Sequence, residues 1–245
     1  MRFLTYNIAY GTGSPGSERG RLLTTHRYLK TSRLWLARIV RFIRQQSPDV
    51  VGLIETDLGS SRTDGVNQVE MVAEHLRYQH FAAAKYGPHS LLRRLPYLQY
   101  QANALLSTGE IHEPFQHFLP HGVKKLVLTG ESGGVNFMLL HLSLYYRTRC
   151  KQLRHLTELV PPGLPLVIAG DFNTFRGSTE IQAFCDAADL RSANAAHLPT
   201  YPSWGPRKEL DFILVSPQIK ILNFSIPDTE LSDHRPLVLD FELDN

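Results

Sequence analysis

The stretch Leu166–Thr174, LVIAGDFNT, runs an apolar strand-like segment through Gly170 into two polar side chains, Asp171 and Asn173. Five other segments deliver polar groups in the same manner. RFLTYNI carries Asn7 near its end, DVVGLIE closes on Glu55, and NFMLLHLS delivers His141. LDFILVS begins with Asp211 as its second residue, and Ser232, Asp233, His234 and Arg235 precede the last strand-like run. Carboxylate and amide oxygens suit hard divalent cations, and imidazoles beside carboxylates transfer protons. Sites in sheet-based enzymes gather on loops off strand ends, where rigid strands hold such groups accurately. Each residue also has a plainer reading. Asn7, Asp171 and Asn173 suit turns, Glu55 suits a helix cap or the surface, and His141 between leucines suits a satisfied core histidine. Asp211 could pair with an arginine, and SDHRP could be a capped turn. Asp171 and Asn173 share a face if the chain stays extended past Gly170. The order and chemistry of the whole set carry the functional inference.

Strand-like and helix-like segments alternate around these groups. After RFLTYNI comes the long loop 9–31, then a helix capped by Ser32 and running to Gln46, with Trp35/Leu36, Ile39/Val40 and Phe42/Ile43 as its apolar stripe. Ser47-Pro48 ends it. Asn67 with Glu70 caps a helix presenting Val69, Val72 and Leu76. Strands are expected at 79–84, 101–107, 126–129 and 135–142, then a helix over 148–160 stopped by Pro161-Pro162-Gly163. LPLVIAG, LDFILVS, IKILNFSI and RPLVLDFEL complete about ten strands, and 179–188 a fourth helix. No repeat or linker is visible, so residues 1–245 read as one α/β domain of two sheets packed face to face with helices outside.

Composition narrows the class. With 42% apolar and 20% charged residues the chain is globular rather than disordered. No apolar run approaches the ~20 residues that cross a bilayer, and the N-terminus lacks the apolar core of a signal peptide. A soluble, cytoplasmic monomer is the expectation. Cys150 and Cys185 form no disulfide framework and read as core residues. Net charge is only +3, but residues 1–46 hold nine of the 26 basic side chains against one acid. Arg38, Arg41 and Arg44 at helical spacing suit a solvated face; Arg19, Arg21, Arg27 and Lys30 lie in the loop, where they could attract an anionic partner.

The motifs TYNI (5–8), GLIE (52–55), HLS (141–143), GDFN (170–173), LDFILVS (210–216) and SDHRP (232–236) together resemble the endonuclease/exonuclease/phosphatase superfamily of DNase I, exonuclease III-type nucleases, inositol 5-phosphatases and bacterial sphingomyelinases. The resemblance implies a four-layered α/β sandwich, two packed mixed β-sheets flanked by helices, and divalent-metal-dependent phosphoester cleavage. It makes Glu55 the principal ligand of Mg²⁺ (Mn²⁺ as an alternative), assisted by Asn7, with Asp233 as a further candidate. It sets Asp171 and Asn173 beside the scissile phosphate, pairs His234 with Asp211, and places His141 across the phosphate. Asp171 would orient or deprotonate water, and Asn173 would donate to the phosphate. Which histidine is acid or base stays open. Ala9 and His141 stand where exonuclease III-type enzymes often carry an acid and a tyrosine, which moves the resemblance toward the DNase I and phospholipid-cleaving branches.

The substrate is less legible. Arg19 and Arg21 in the loop and Trp204 in YPSW are candidate substrate contacts, the last by stacking on a base or head group or by packing as a turn. Segment 85–101, KYGPHSLLRRLPYLQYQ, sets Arg93 and Arg94 among leucines and tyrosines, as a loop over the sheet edge, a membrane-surface contact or a single-strand contact would. Nucleic acid ranks first, supported by the basic segment 1–46. A phospholipid or head-group ester, with peripheral contact to anionic surfaces, ranks second. A non-catalytic binding protein that keeps the fold ranks third, because every position expected to be catalytic is filled by a competent side chain.

Overall fold

Alternating side chains decide how the strands layer. On β1 (Arg2–Asn7) Leu4 and Tyr6 point to one face while Phe3 points to the other, and all three are buried. The computed structural model describes residues 1–17, 20, 29–87 and 90–244. β1 sits in a six-stranded sheet with β2 (Val50–Asp57), β3 (Gln79–Ala84), β4 (Gln101–Ser107), β11 (Ile219–Ser225) and β12 (Leu237–Leu243), in the order β11-β12-β1-β2-β4-β3. The second sheet holds β5 (His112–Phe118), β6 (Leu126–Ser132), β7 (Val135–His141), β8 (Leu166–Asp171), β9 (Arg191–Ser192) and β10 (Asp211–Val215), in the order β5-β6-β7-β8-β10-β9.

Helices α1 (Arg33–Gln46) and α2 (Gln68–Leu76) cover the outer face of the first sheet, where Leu36, Ile39, Val69 and Val72 meet Leu4 and Leu53. On the second sheet α3 (Tyr146–Leu159) and α4 (Thr179–Ala188) lay Leu153, Leu156, Ile181 and Phe184 on Leu140 and Phe212. Between the sheets Phe3 packs on Phe137 with ring centroids 5.2 Å apart, in a cluster with Val50, Val167 and Ile213. This is the expected four-layered sandwich, α/β/β/α. Each fully buried Leu, Ile or Phe contributes ~1.5–3 kcal/mol through loss of water-exposed apolar surface. No helix among the described residues is long and apolar enough to cross a membrane.

The two sheets have one topology. Each centres on a parallel pair with a helix in its crossover, β1-α1-β2 and β7-α3-β8. Each parallel pair is flanked by antiparallel partners on both sides, β12 and β4 in one sheet, β6 and β10 in the other. β1 therefore corresponds to β7, β2 to β8 and β4 to β10, and across the sandwich the end of β1 meets that of β8 while Glu55 of β2 meets His141 of β7.

The caps at Ser32 and Asn67 form as their sequence suggests: Ser32 Oγ accepts from Leu34 N–H, and Asn67 Oδ1 from Val69 and Glu70 N–H. Among the described residues twelve strands replace the expected ten. β5 escapes the sequence pattern because HEPFQHF is an exposed edge strand with Pro114 at its bulge, and β9 is only two residues long. β6 runs on to Ser132, and α3 starts at Tyr146 rather than residue 148 because Tyr145 gives no side-chain cap to mark it.

Gly170 sets how closely β7 and β8 approach. Its φ is +147°, and a Cβ there would lie 1.9 Å from the Leu140 carbonyl oxygen. Gly170→Ala should therefore cost ~3 kcal/mol or more in urea unfolding, because a backbone clash adds to the conformational penalty. Gly163, with φ +72° and nothing within 4 Å of an added Cβ, is the control. Gly163→Ala should cost only ~1–2 kcal/mol. Equal losses at the two positions would show that the approach to Leu140 does not select the glycine.

Candidate active site

Six strand ends converge at one edge of the sandwich. At the end of β1, Asn7 Oδ1 accepts the Ala9 N–H at 3.1 Å, and its Nδ2 donates to Asp171 Oδ2 at 3.1 Å. Ala9 and Tyr10, with φ of 44° and 57°, turn the chain away directly after it. Glu55 also has a left-handed backbone, φ 57°, inside a bulge between β2 and β4. Asn103 Oδ1 holds that bulge by accepting the Glu55 N–H at 3.3 Å. Strained non-glycine backbone of this kind concentrates where side-chain aim matters. The Glu55 side chain keeps 17% exposure, so solvent or a ligand can reach it, whereas Asp171 keeps 3%.

Asp171 is the hub. Its Oδ1 accepts the Asn173 N–H at 2.9 Å; its Oδ2 lies 3.2 Å from His141 Nε2 and 3.8 Å from His234 Nε2. The chain does not stay extended past Phe172. Asn173 adopts φ 55° and donates through Nδ2 to the Leu142 carbonyl at 2.9 Å, which ties β8 to the end of β7. At the start of β10, Asp211 Oδ2 accepts from His234 Nδ1 at 2.8 Å and from Thr200 Oγ1 at 2.6 Å. Thr200 Oγ1 in turn accepts the N–H groups of Leu210 and Asp211. Asp233 adjoins this pair, its Oδ1 accepting from Ser232 Oγ at 3.3 Å.

The charges follow from these contacts. Burial opposes ionisation of Glu55, but Lys85, His141 and Lys124 outweigh it and hold the carboxyl at about 2. Burial lowers His141 to about 4, helped by Lys124 and Lys85, so its imidazole is neutral. Burial also opposes the charged form of His234, yet Asp211 and Asp171 overcome it and lift the imidazole to about 10. Asp171 is held below its ordinary range, burial notwithstanding, by the two facing imidazoles. One ligand atom from each of Asp171, Asp211 and His234 lies within 4.8 Å of the others. An imidazolium has no lone pair for a metal, so this trio is an ion-pair network. Glu55 and Asn7 offer the better oxygens for a cation.

Sequence reading missed several neighbours. Lys85 Nζ sits 3.3 Å from Glu55 Oε1 and donates to Tyr10 OH at 2.8 Å; burial lowers its pKa to about 8. Tyr10 in turn packs under the Arg62 guanidinium, 4.1 Å from its ring centroid. Lys124 Nζ contacts His141 Nε2. Asn103, an amide inside the apolar run ANALL, had a signal; Lys124, one of two adjacent lysines, had none. Arg19, Arg21 and Arg27 lie outside the described residues. Trp204 is half-buried, and the aromatic ring facing His234 is that of Tyr201, 4.9 Å between centroids.

These protonation states are directly measurable. In ¹⁵N-detected spectra of the cation-free protein, His234 should stay doubly protonated until about pH 10, and His141 should stay neutral down to about pH 4. Titration of either ring near pH ~6.5, the value of a free imidazole, would contradict the ion-pair network.

A model described as the Endonuclease/Exonuclease/phosphatase family matches residues 4–234. The uncharacterized protein YbhP of Escherichia coli strain K12 is 28% identical over 226 residues, covering 82% of this chain and 86% of its own. Among solved structures, a functionally unknown conserved protein from Enterococcus faecalis V583 superposes with a TM-score of 0.76 at 14% identity, covering 100% of each chain. The human Nocturnin catalytic domain, solved with a bound sulfate anion, gives 0.71 at 20% identity over 100% of this chain and 93% of its own. The mannosyl-6-phosphatase of Bacteroides thetaiotaomicron VPI-5482 gives 0.73 at 16% over 99% and 100%. At such identities the structures share the fold, while the family match spans nearly the whole chain: the protein belongs to the endonuclease/exonuclease/phosphatase family of phosphoester hydrolases.

Proposed function

We propose that the chain is a divalent-cation-dependent phosphodiesterase whose first substrate class is nucleic acid. The observation that carries this reading is the meeting of an accessible, ionised Glu55 with Asn7, the buried Asp171 carboxylate and a charged His234 at one edge of the sandwich. The donor set fits a hard cation. Glu55 offers a carboxylate, Asn7 Oδ1 is engaged by the Ala9 N–H and retains a second lone pair, and Mg²⁺ takes few protein oxygens and keeps several waters. Asp233 adds a third oxygen source nearby. Mg²⁺ or Mn²⁺ would neutralise negative charge on the phosphoester oxygens.

The chain's own residues supply the rest. Asp171, ionised and aimed by the Asn173 N–H and Asn7 Nδ2, orients water and accepts its proton. His234, charged and fixed through Nδ1 by Asp211, presents its Nε2–H to a phosphate or leaving-group oxygen. It therefore acts as the donor. The Asn173 amide is engaged with the Leu142 carbonyl, so Asn173 serves chiefly to aim Asp171.

Nucleic acid is favoured by the basic segment 1–46 and by Arg176, Arg207 and Lys208, exposed on the loops that follow Asn173 and precede Asp211. The lipid reading also has an observation in its favour: Leu91, Leu95, Leu144 and Tyr145 are exposed at 74%, 49%, 54% and 78%, with Arg93, Arg94 and Arg147 among them. Similarity to a mannosyl-6-phosphatase and to a sulfate-binding catalytic domain supports phosphoester chemistry without choosing between them.

Glu55→Gln should keep the fold, weaken Mg²⁺ binding in calorimetry and lower turnover of bis-p-nitrophenyl phosphate ~100-fold or more. Unchanged Mg²⁺ affinity removes Glu55 from the ligand set; a wild type inert toward every phosphoester makes the chain a binding protein.

Affinity for DNA or RNA should fall steeply with salt, and Arg207→Gln with Lys208→Gln should reduce the slope by about one unit for each phosphate no longer neutralised. Turnover of a small diester should hardly change in that variant. Binding of anionic vesicles with indifference to nucleic acid would put the lipid reading first.

A further inference from the structure

The loop joining β5 to β6 brings a lysine to the candidate site, and packing on α3 fixes it there. Leu119 at its start is buried, and its N–H bonds the Lys125 carbonyl at 2.9 Å, which closes the loop on itself. Gly122 at its tip has φ +86°, and a Cβ there would lie 2.9 Å from Thr148 Cγ2, so the loop lies tightly on α3. Gln152 of α3 is fully buried. Its Nε2 donates to the carbonyls of His121 (2.8 Å) and Lys124 (2.6 Å). Its Oε1 accepts the Ser143 N–H at 2.9 Å. One side-chain amide thus links the backbone of Lys124 to the backbone two residues beyond His141. The Lys124 ammonium then contacts His141 Nε2, beside Asp171 Oδ2.

The Lys124 ammonium helps hold Glu55 and Asp171 ionised, but its loop does not force it inward. Lys124 is half-buried on a loop whose neighbours His121, Gly122 and Val123 face solvent, so an outward rotamer would be fully hydrated. The carboxylate of Asp171 already has Asn7 Nδ2 and the Asn173 N–H as donors. A lysine brought inward and fixed at its backbone leaves an ammonium able to turn from His141 to an incoming anion. An ammonium is a compact charge with three rotatable donors, suited to a phosphate oxygen.

Resting on the phosphoesterase reading above, we infer that Lys124 is a catalytic residue that binds a nonbridging oxygen of the scissile phosphate, and that Gln152 is the residue that positions it. His141, which Lys124 contacts, and His234 both face Asp171 Oδ2.

The test uses the full chain, Mg²⁺ at a fixed concentration, inorganic phosphate as the calorimetric probe and bis-p-nitrophenyl phosphate for turnover. Lys124→Met should weaken phosphate binding about tenfold or more and lower kcat/KM at least as much, since it removes a charge-assisted hydrogen bond. Mg²⁺ affinity and melting temperature should stay near wild type, and Lys124→Arg should recover most of the phosphate affinity. Gln152→Glu keeps the acceptor for Ser143 but cannot donate to the two carbonyls, so it should reproduce the loss. Made in the Lys124→Met background it should add little, because both changes remove one interaction. Where Gln152→Glu does not fold, Gly122→Ala displaces the same loop from the other side and should give the same non-additive pattern.

Phosphate affinity and kcat/KM of Lys124→Met both within about twofold of wild type would overturn the role of Lys124. A Gln152→Glu loss equally large in both backgrounds would overturn the positioning role. A wild type that hydrolyses no phosphoester yet binds phosphate through Lys124 refutes the hydrolase and keeps the anion site. A wild type that hydrolyses diesters no better than Lys124→Met keeps the hydrolase and refutes the site.

Discussion

The hydrogen bond from Asn7 Nδ2 to Asp171 Oδ2 joins the last residue of β1 to the last residue of β8, and so one sheet to the other at their shared edge. A buried carboxylate must be fully satisfied or it loses its charge. Asp171 solves this with one donor from the opposite sheet, one from its own turn at Asn173, and two facing imidazoles. Its position therefore depends on the sheets packing at the right separation. That separation is set further in, where Phe3 meets Phe137 and where a Cβ on Gly52 would lie 2.7 Å from Leu139 Cδ1. Core packing and site geometry are one constraint, because sliding the sheets would break the bond that fixes Asp171 from the opposite sheet.

The shared topology of the sheets explains why the groups arrive in pairs. Corresponding strands β1 and β7 end in Asn7 and His141; β2 and β8 end near Glu55 and in Asp171. On the next strands, Asn103 faces the bulge of Glu55 much as Asp211 pairs with Asp171 in register. One half carries amides around an accessible carboxylate; the other carries acids and imidazoles around a buried one. Beside Glu55 the Lys85 ammonium favours the charged carboxylate, which keeps 17% exposure. Charged partners in the other half hold Asp171 and His234 in opposite ionised states. A single architecture used twice thus yields two electrostatic environments a few ångströms apart.

Much of this was readable from the chain, for a physical reason. Strand periodicity places Asn7, Glu55, His141 and Asp171 at ends, and GDFN and SDHRP specify turns as well as chemistry. Asn173 illustrates the limit. Period-two reasoning puts it on the face of Asp171, but the left-handed turn sends its side chain to the Leu142 carbonyl instead. Lys85, Lys124, Thr200 and Gln152 were not legible, because each reaches the site through tertiary packing rather than through position on a strand. A threonine buried under Asp211, or a glutamine on the covered face of α3, carries no local mark of its partner. β5 was hidden for a related reason: an exposed edge strand with a proline lacks the apolar alternation that betrays buried ones.

Reaction and substrate are written in different parts of the molecule. Groups that must hold fixed geometry during phosphoryl transfer sit on strand ends, where backbone freedom is least. The connecting segments 90–100, 119–125 and 193–210 carry many of the exposed side chains, which can change without disturbing the sheets. This division is consistent with structural neighbours at 14% and 20% identity that keep the whole fold. In this chain exposed Leu91 and Tyr145 share their segments with exposed Arg93 and Arg147, and Arg207 is exposed ahead of β10, so these segments combine apolar surface with attraction for anions. Under the proposed function such a rim would suit a phosphate bearing an apolar or stackable group, a description that bases and acyl chains both meet. Selection between them must come from how those segments are shaped around the shared chemistry of Asp171, His234 and Glu55.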